Sequence, residues 1–188
     1  NEDLAPVNKA ADQFLKRCHV AGKAVQNICR KDQQAIYLAL RNAQYLVDLI
    51  TEDDIIEDGI LKNYDAVYFA GEWVREKAVA EFEEVVKGGG VLSVSTGLGV
   101  YNEYGERSAA LLNLLGVSAE PARRDLFHYK PLLELPLAEP IGRIESGWGE
   151  LGAIAFRQDL IVAGGDVEVL GKWADNGAAA VCRRKLGK

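Results

Sequence analysis

The chain has 188 residues and a formal net charge of −6, with 48% hydrophobic and 27% charged residues. These fractions are typical of a globular protein with a sizeable core. A chain with a pI near 5.1 lacks the basic face that nucleic acids and anionic membranes require. No apolar run approaches the roughly 18 residues of a membrane span, and the first residues do not resemble a signal peptide. We therefore expect a cytoplasmic protein without nucleic-acid or membrane partners.

The cysteine and methionine counts bear on chemistry and on the continuity of the sequence. Cys18, Cys29 and Cys182 have no metal-ligand spacing, so we expect no metal, no cofactor and no disulfide framework. Methionine is absent altogether. We hypothesise that segments of the natural chain are missing from this sequence, with the junction of Tyr37 and Leu38 as one such position.

The first 33 residues predict a helical arm, and residues 34–188 a separate domain. Asp3 is suited to cap a helix over residues 3–30, and Pro6 to its first turn. An apolar stripe at three- and four-residue steps follows, made by Val7, Ala11, Phe14, Leu15, Cys18 and Val25. This stripe indicates packing against the core or against another domain or subunit.

The next 80 residues predict strands that alternate with helices. Strands are expected at residues 34–37, 47–50, 65–71 and 91–95, and helices at 38–44, 75–87 and 109–115. Gly88 is placed to end the second of these helices in a left-handed cap, and Gly116 to stop the third. Such alternation favours right-handed βαβ units and a mainly parallel sheet between two helical layers.

The character of the sequence changes after residue 117, where four prolines interrupt any helical periodicity. The Asn176-Gly177 pair separates two alternating apolar runs, which predicts a β-hairpin extension at about residues 165–188. The predicted fold is thus an α/β flavodoxin-like three-layer sandwich with a C-terminal antiparallel extension.

Ser95 is the first candidate catalytic residue, because ligands of open α/β sheets bind beyond the carboxyl ends of the strands. A serine there resembles a nucleophile on a sharp strand-to-helix turn, although Ser93 stands where that pattern has glycine. His128 is the candidate base and Glu72 an assisting acid, with backbone N–H groups at Gly97 as oxyanion donors. A turn serine that bonds its own backbone is the alternative interpretation.

The remaining candidates are carboxylates and aromatic rings. The acidic cluster at residues 52–58 favours a helix start over a Mg²⁺ or Ca²⁺ site. Glu72 follows a buried strand, as either an active-site acid or a helix N-terminal acid does. Trp73 and Tyr101, with Gly71 and Gly97, form a candidate ligand site in which the two rings act as stacking platforms.

Several stretches, taken in order, resemble the trimerisation domain of family 42 β-galactosidases. They are residues 47–55, 61–71, 85–92, 96–105, 174–181 and 186–188. The resemblance implies the class I glutamine amidotransferase-like fold, a role in carbohydrate metabolism and assembly as a dimer or trimer or with a linked glycoside hydrolase barrel. Amidotransferases of that superfamily use a cysteine at the position of Ser95 and a His-x-Glu, which His128-Tyr129-Lys130 lacks.

These observations predict a non-catalytic domain that supports the assembly of a carbohydrate-active or related enzyme. One alternative is a hydrolase of the same superfamily that uses Ser95. A second is a module that binds a small ligand or a sugar at Trp73 and Tyr101.

Overall fold

A computed structural model describes residues 32–95, 97–119, 123–124, 140–153 and 156–187. The helix predicted at residues 3–30 of the arm and the candidate base His128 lie outside these ranges. In the described part of the chain, helix α1 covers residues 32–42 without interruption at Tyr37 and Leu38. Residues 45–50 belong to no helix or strand. The strands predicted at residues 34–37 and 47–50 are therefore wrong.

Helix α2 (Glu52–Asp58) accounts for the acidic cluster. The Thr51 hydroxyl accepts a hydrogen bond from the Asp54 backbone N–H, and the Asp54 carboxylate accepts one at 2.7 Å from the Thr51 N–H. This reciprocal capping box satisfies helix donors that would otherwise have no partner. The acids of the first turn thus lie at the positive end of the helix dipole, as the helix-start interpretation predicts.

A short 3₁₀ helix (Ile60–Asn63) leads into strand β1 (Ala66–Ala70), helix α3 (Glu76–Lys87) and strand β2 (Val91–Ser95). β1 and β2 pair in parallel, with Ala70 opposite Ser95. Helix α4 (Ala110–Leu115) follows and ends at Gly116, which has φ +72° as predicted. Gly88 keeps a right-handed conformation, and Gly89 takes the positive φ instead, so the predicted cap is one residue off.

The remaining strands are short and pair only in antiparallel fashion. They are β3 (Val117–Ala119), β4 (Arg123–Arg124), β5 (Gly142–Ser146), β6 (Gly149–Ala153), β7 (Phe156–Arg157), β8 (Leu160–Val162), β9 (Val167–Trp173) and β10 (Ala179–Arg184). Six of them form one sheet in the order β3-β8-β10-β9-β5-β6, and β4 pairs with β7. The predicted hairpin is β9–β10. In its turn Gly177 has φ +69°, whereas Asn176 does not take a positive φ.

The predicted fold class, a flavodoxin-like or class I glutamine amidotransferase-like sandwich with a mainly parallel sheet, is wrong. Among the described strands only β1 and β2 are parallel, and the largest sheet is antiparallel. A parallel pair needs a crossover of a dozen or more residues, usually a helix. Beyond Gly116 the described ranges contain no helix, and hairpin turns such as Gly147-Trp148 force neighbouring strands to run in opposite directions.

Two apolar clusters hold these parts together. The first lies between the helices and β1, and is built around Leu61, Phe82 and Leu111. The second contains Leu98, Val100, Leu112, Val117 and Ala119, with residues of β8, β9 and β10 packed against it. It therefore joins α4 and the segment after β2 to the antiparallel sheet.

Arg184 of β10 strengthens this junction. Its guanidinium donates to the backbone carbonyls of Asn113 and Leu114 at 2.9 Å each, and to Asp166 at 2.7 Å. The Asn113 carbonyl also accepts from the Gly116 N–H at 3.1 Å, so the arginine completes the cap of α4 and connects the helix to the sheet. Among the described residues, no helix is long and apolar enough to cross a membrane.

Candidate functional site

The predicted site residues that fall within the described ranges meet at the carboxyl ends of β1 and β2. Gly71, Glu72 and Trp73 follow β1 directly, while Ser95 is the last residue of β2. The chain then turns and passes beside residues 71–74. The backbone N–H of Gly99 donates to Gly71 at 2.9 Å.

The turn after β2 brings Tyr101 alongside Trp73. Gly97, Leu98 and Gly99 have φ values of +98°, +55° and +56°, and Leu98 adopts this conformation despite its side chain. The N–H of Tyr101 donates to the Glu72 carbonyl, and the Tyr101 carbonyl accepts from Val74, both at 2.9 Å. The parallel pairing of β1 with β2 thus continues past the strand ends, which fixes the backbone of this edge.

Ser95 contacts helix α1. Its hydroxyl donates to the Asp32 carboxylate at 2.5 Å. The neighbouring Gln33 donates its side-chain amide to the carbonyl of Ala70 at 3.0 Å. Two successive residues of α1 therefore bind the ends of both parallel strands.

Glu72 is buried at this edge, with 1% of its surface exposed. It packs directly on Gly97, where a Cβ atom would overlap the Cγ of Glu72 and lie 3.1 Å from its Cα. Only glycine combines this close approach with φ +98°. The glutamate side chain therefore fills the space beneath the turn instead of extending into solvent.

Trp73 and Tyr101 form a stacked pair on the outside of the same edge. Their ring centroids are 5.5 Å apart and the rings are inclined by 25°. Trp73 is 50% exposed. It borders a cavity of about 280 Å³ that is lined by Gln33, Glu52 and Tyr68 together with apolar residues such as Ile55 and Phe82.

This edge combines a hydroxyl bonded to a carboxylate with a buried glutamate and a stacked aromatic pair. Ser95 lies within β2, and the residues that follow form a turn and an extended segment, so the expected strand-to-helix geometry does not occur here. The hydroxyl hydrogen is held by a carboxylate. Both histidines, His19 and His128, fall outside the described residues, and within those residues no cluster of potential metal ligands occurs.

Sequence reasoning did not identify Asp32, Gln33 or Glu52 as part of this edge. Asp32 is 63 positions from Ser95 in the chain, and the Gln33 contact spans 37 positions. No local spacing reports such long-range pairs. Glu52 belongs to the acidic cluster that is visible in the sequence, but its position at this edge depends on a contact with Arg75. The Glu52 carboxylate accepts a hydrogen bond from the Arg75 backbone N–H at 3.1 Å.

No family model matches this chain, and no curated protein does. Solved structures do match. Gan42B, a GH42 β-galactosidase, has a TM-score of 0.54 at 16% identity, over 68% of this chain and 18% of that one. A catalytic mutant of Gan42B from G. stearothermophilus scores 0.52 at 16% identity, over 66% and 18%. The β-galactosidase from Bacillus circulans sp. alkalophilus scores 0.53 at 20% identity, over 68% and 19%.

The chain shares its fold with part of GH42 β-galactosidases. The similarity extends over about two thirds of this chain, which spans less than a fifth of the length of those enzymes. At this level of identity it is a similarity of fold.

Proposed function

We propose that this chain is a non-catalytic domain that supports the assembly of a carbohydrate-active enzyme. The observation that carries the proposal is the fold shared with a segment of GH42 β-galactosidases, a segment that makes up less than a fifth of those chains. We assign to this chain the role of the trimerisation domain that its sequence resembles. We expect the chain to self-associate as a dimer or trimer. The alternative partner is a linked glycoside hydrolase barrel.

An exposed apolar surface supports self-association. Leu38 on α1 and Tyr45, Leu46 and Leu49 in the segment after it are 50%, 63%, 96% and 79% exposed. We call these four residues the Leu46 surface. Single exposed apolar side chains are common, but four within twelve positions indicate a region that a partner covers.

The Leu46 surface also follows the predicted arm in the chain. We propose that the arm, residues 1–33, takes part in the same interface, since its predicted apolar stripe needs a partner. Burial of leucine side chains stabilises association by roughly 1.5–3 kcal/mol each relative to exposure.

The experiment compares the masses of variants by size-exclusion chromatography with light scattering. The double variant Leu46→Glu with Leu49→Glu is expected to run as a 20.5 kDa monomer, because carboxylates in the interface must be desolvated. Ile161→Glu is the matched control, since Ile161 is 59% exposed on β8. Control and wild type should share one larger mass. A double variant with the wild-type mass would contradict the use of this surface.

A further inference from the structure

We propose that the cavity beside Trp73 is a binding site for a neutral sugar ring, which stacks on the indole. This site is separate from the Leu46 surface, because none of the four residues of that surface lines the cavity. Its core is the aromatic pair described above, Trp73 on Tyr101, at the carboxyl edge of the parallel strands.

The pair is preorganised. The backbones of Trp73 and Tyr101 are joined by a parallel bridge, and hydrogen bonds of 2.9 Å on either side hold them in register. The left-handed turn at residues 97–99 makes this register possible. Gly97 and Gly99 take a positive φ without strain, whereas Leu98 does not, and strained residues of this kind are concentrated at ligand sites.

The indole is available to a ligand. Tyr101 stacks against Trp73, yet half of the Trp73 surface is still exposed. A large apolar ring left in water is unfavourable by itself, whereas its π face carries partial negative charge. The C–H bonds on one face of a pyranose carry partial positive charge and are apolar enough to replace that water.

The cavity fits one sugar ring in size and polarity. Its volume of about 280 Å³ is just below the range of about 300–1,000 Å³ that is usual for ligand sites, as a single ring requires. Gln33 and Tyr68 line it and bring amide and hydroxyl groups, which complement sugar hydroxyls by donating and accepting hydrogen bonds. The aromatic wall and a few polar groups are the usual composition of a small-molecule site.

Charge favours a neutral ligand over a nucleotide or sugar phosphate. Glu52 lines the cavity. Among the described residues, Arg75 is the only cation that contacts Glu52, and Arg75 also binds Asp53 at 2.6 Å. The chain as a whole has a net charge of −6. An anionic ligand would therefore be repelled, whereas a polyhydroxyl ligand can use the Glu52 carboxylate as an acceptor.

The test is saturation-transfer NMR of the full chain with methyl β-D-galactopyranoside as the probe, at concentrations up to about 50 mM. Wild type should transfer saturation to the ring protons of the sugar. Trp73→Ala should weaken binding about three- to tenfold, whereas Trp73→Phe keeps an aromatic ring and should keep most of the affinity. Trp148→Ala removes a tryptophan that is 69% exposed on the β5–β6 hairpin and should leave the signal unchanged.

Several outcomes would overturn the proposal. They are the absence of any transfer in wild type, an equal loss in Trp73→Ala and Trp148→Ala, or stronger binding of AMP than of the sugar. Binding that is lost in Trp73→Ala but kept in Trp73→Phe would show that the aromatic ring is required, and not merely an intact fold. Because the Leu46 surface is not mutated, the result is distinguishable from failure of the assembly proposal.

Discussion

The Ser95 hydroxyl donates to the Asp32 carboxylate at 2.5 Å, although the two residues are 63 positions apart. The bond joins the last residue of β2 to helix α1, and it directs the hydroxyl hydrogen at a carboxylate, a group that can also accept a proton as a base. Ser95 is thus a link between secondary-structure elements within the described part of the chain.

Ser95→Ala should therefore lower the free energy of unfolding by about 1.5–3 kcal/mol, the range for a hydrogen bond to a charged group. Urea denaturation measures it. Ser93→Ala, two residues earlier on the same face of β2, is the control and should change stability by less than about 0.5 kcal/mol.

A fluorophosphonate probe should not label wild type, and labelling that Ser95→Ala abolishes would indicate a hydrolase.

Gly97→Ala should destabilise the protein by about 2–4 kcal/mol, because the new methyl group both meets Glu72 and requires a left-handed backbone. Gly105→Ala is the matched control. Gly105 has φ +77° but nothing within 4 Å of its Cβ position, so only the backbone contribution of about 1 kcal/mol remains. Equal losses in both variants would show that the contact with Glu72 contributes nothing.

Arg157 should stabilise the antiparallel sheet far more than an ordinary surface arginine. It is 7% exposed, binds both oxygens of Asp175 at 2.8 and 3.0 Å, and lies 4.4 Å from the centre of the Trp173 ring. Arg157→Ala should cost about 2–4 kcal/mol in urea denaturation. Arg183→Ala, which breaks an exposed pair with Glu168, should cost less than about 1 kcal/mol. Similar values for both would refute this ranking.

Stability should fall with acid through Asp175 and Asp166. The Arg157 guanidinium lowers the pKa of Asp175 below its usual 3.8, and Arg184 does the same for the pKa of Asp166. A depressed pKa stabilises the fold above the unfolded value, and this contribution is lost as the pH falls from about 3.8 through the folded pKa. Urea midpoints in this range should depend less on pH in Asp175→Asn and in Asp166→Asn. Unchanged slopes would contradict the assignment.

Local patterns predicted the elements whose signals are complete within one segment. The apolar stripe of α3 contains Ala78, Val79 and Phe82, and all three are buried. The apolar run of β1, the span of β2 and the stop at Gly116 are likewise as the sequence predicts. In each case the residues that decide the structure are close in sequence.

The sheet topology could not be obtained in this way. The strand-helix alternation before residue 117 predicts a mainly parallel sheet, whereas most strands lie beyond it, and β5 and β6 carry five of their ten positions as Gly, Ser or Ala, which give little β signal. The run at residues 34–37 is too short to distinguish a strand from a helix by periodicity. At the candidate site, the stacking of Trp73 on Tyr101 depends on the turn at residues 97–99, which no spacing rule reports.

Sedimentation equilibrium of the wild-type chain over a hundredfold range of concentration tests the central claim, self-association, most directly. We predict a concentration-dependent mass that approaches two or three times 20.5 kDa, and a return to 20.5 kDa when Leu46 and Leu49 are replaced by glutamate. A wild-type chain that stays at 20.5 kDa throughout would contradict the account.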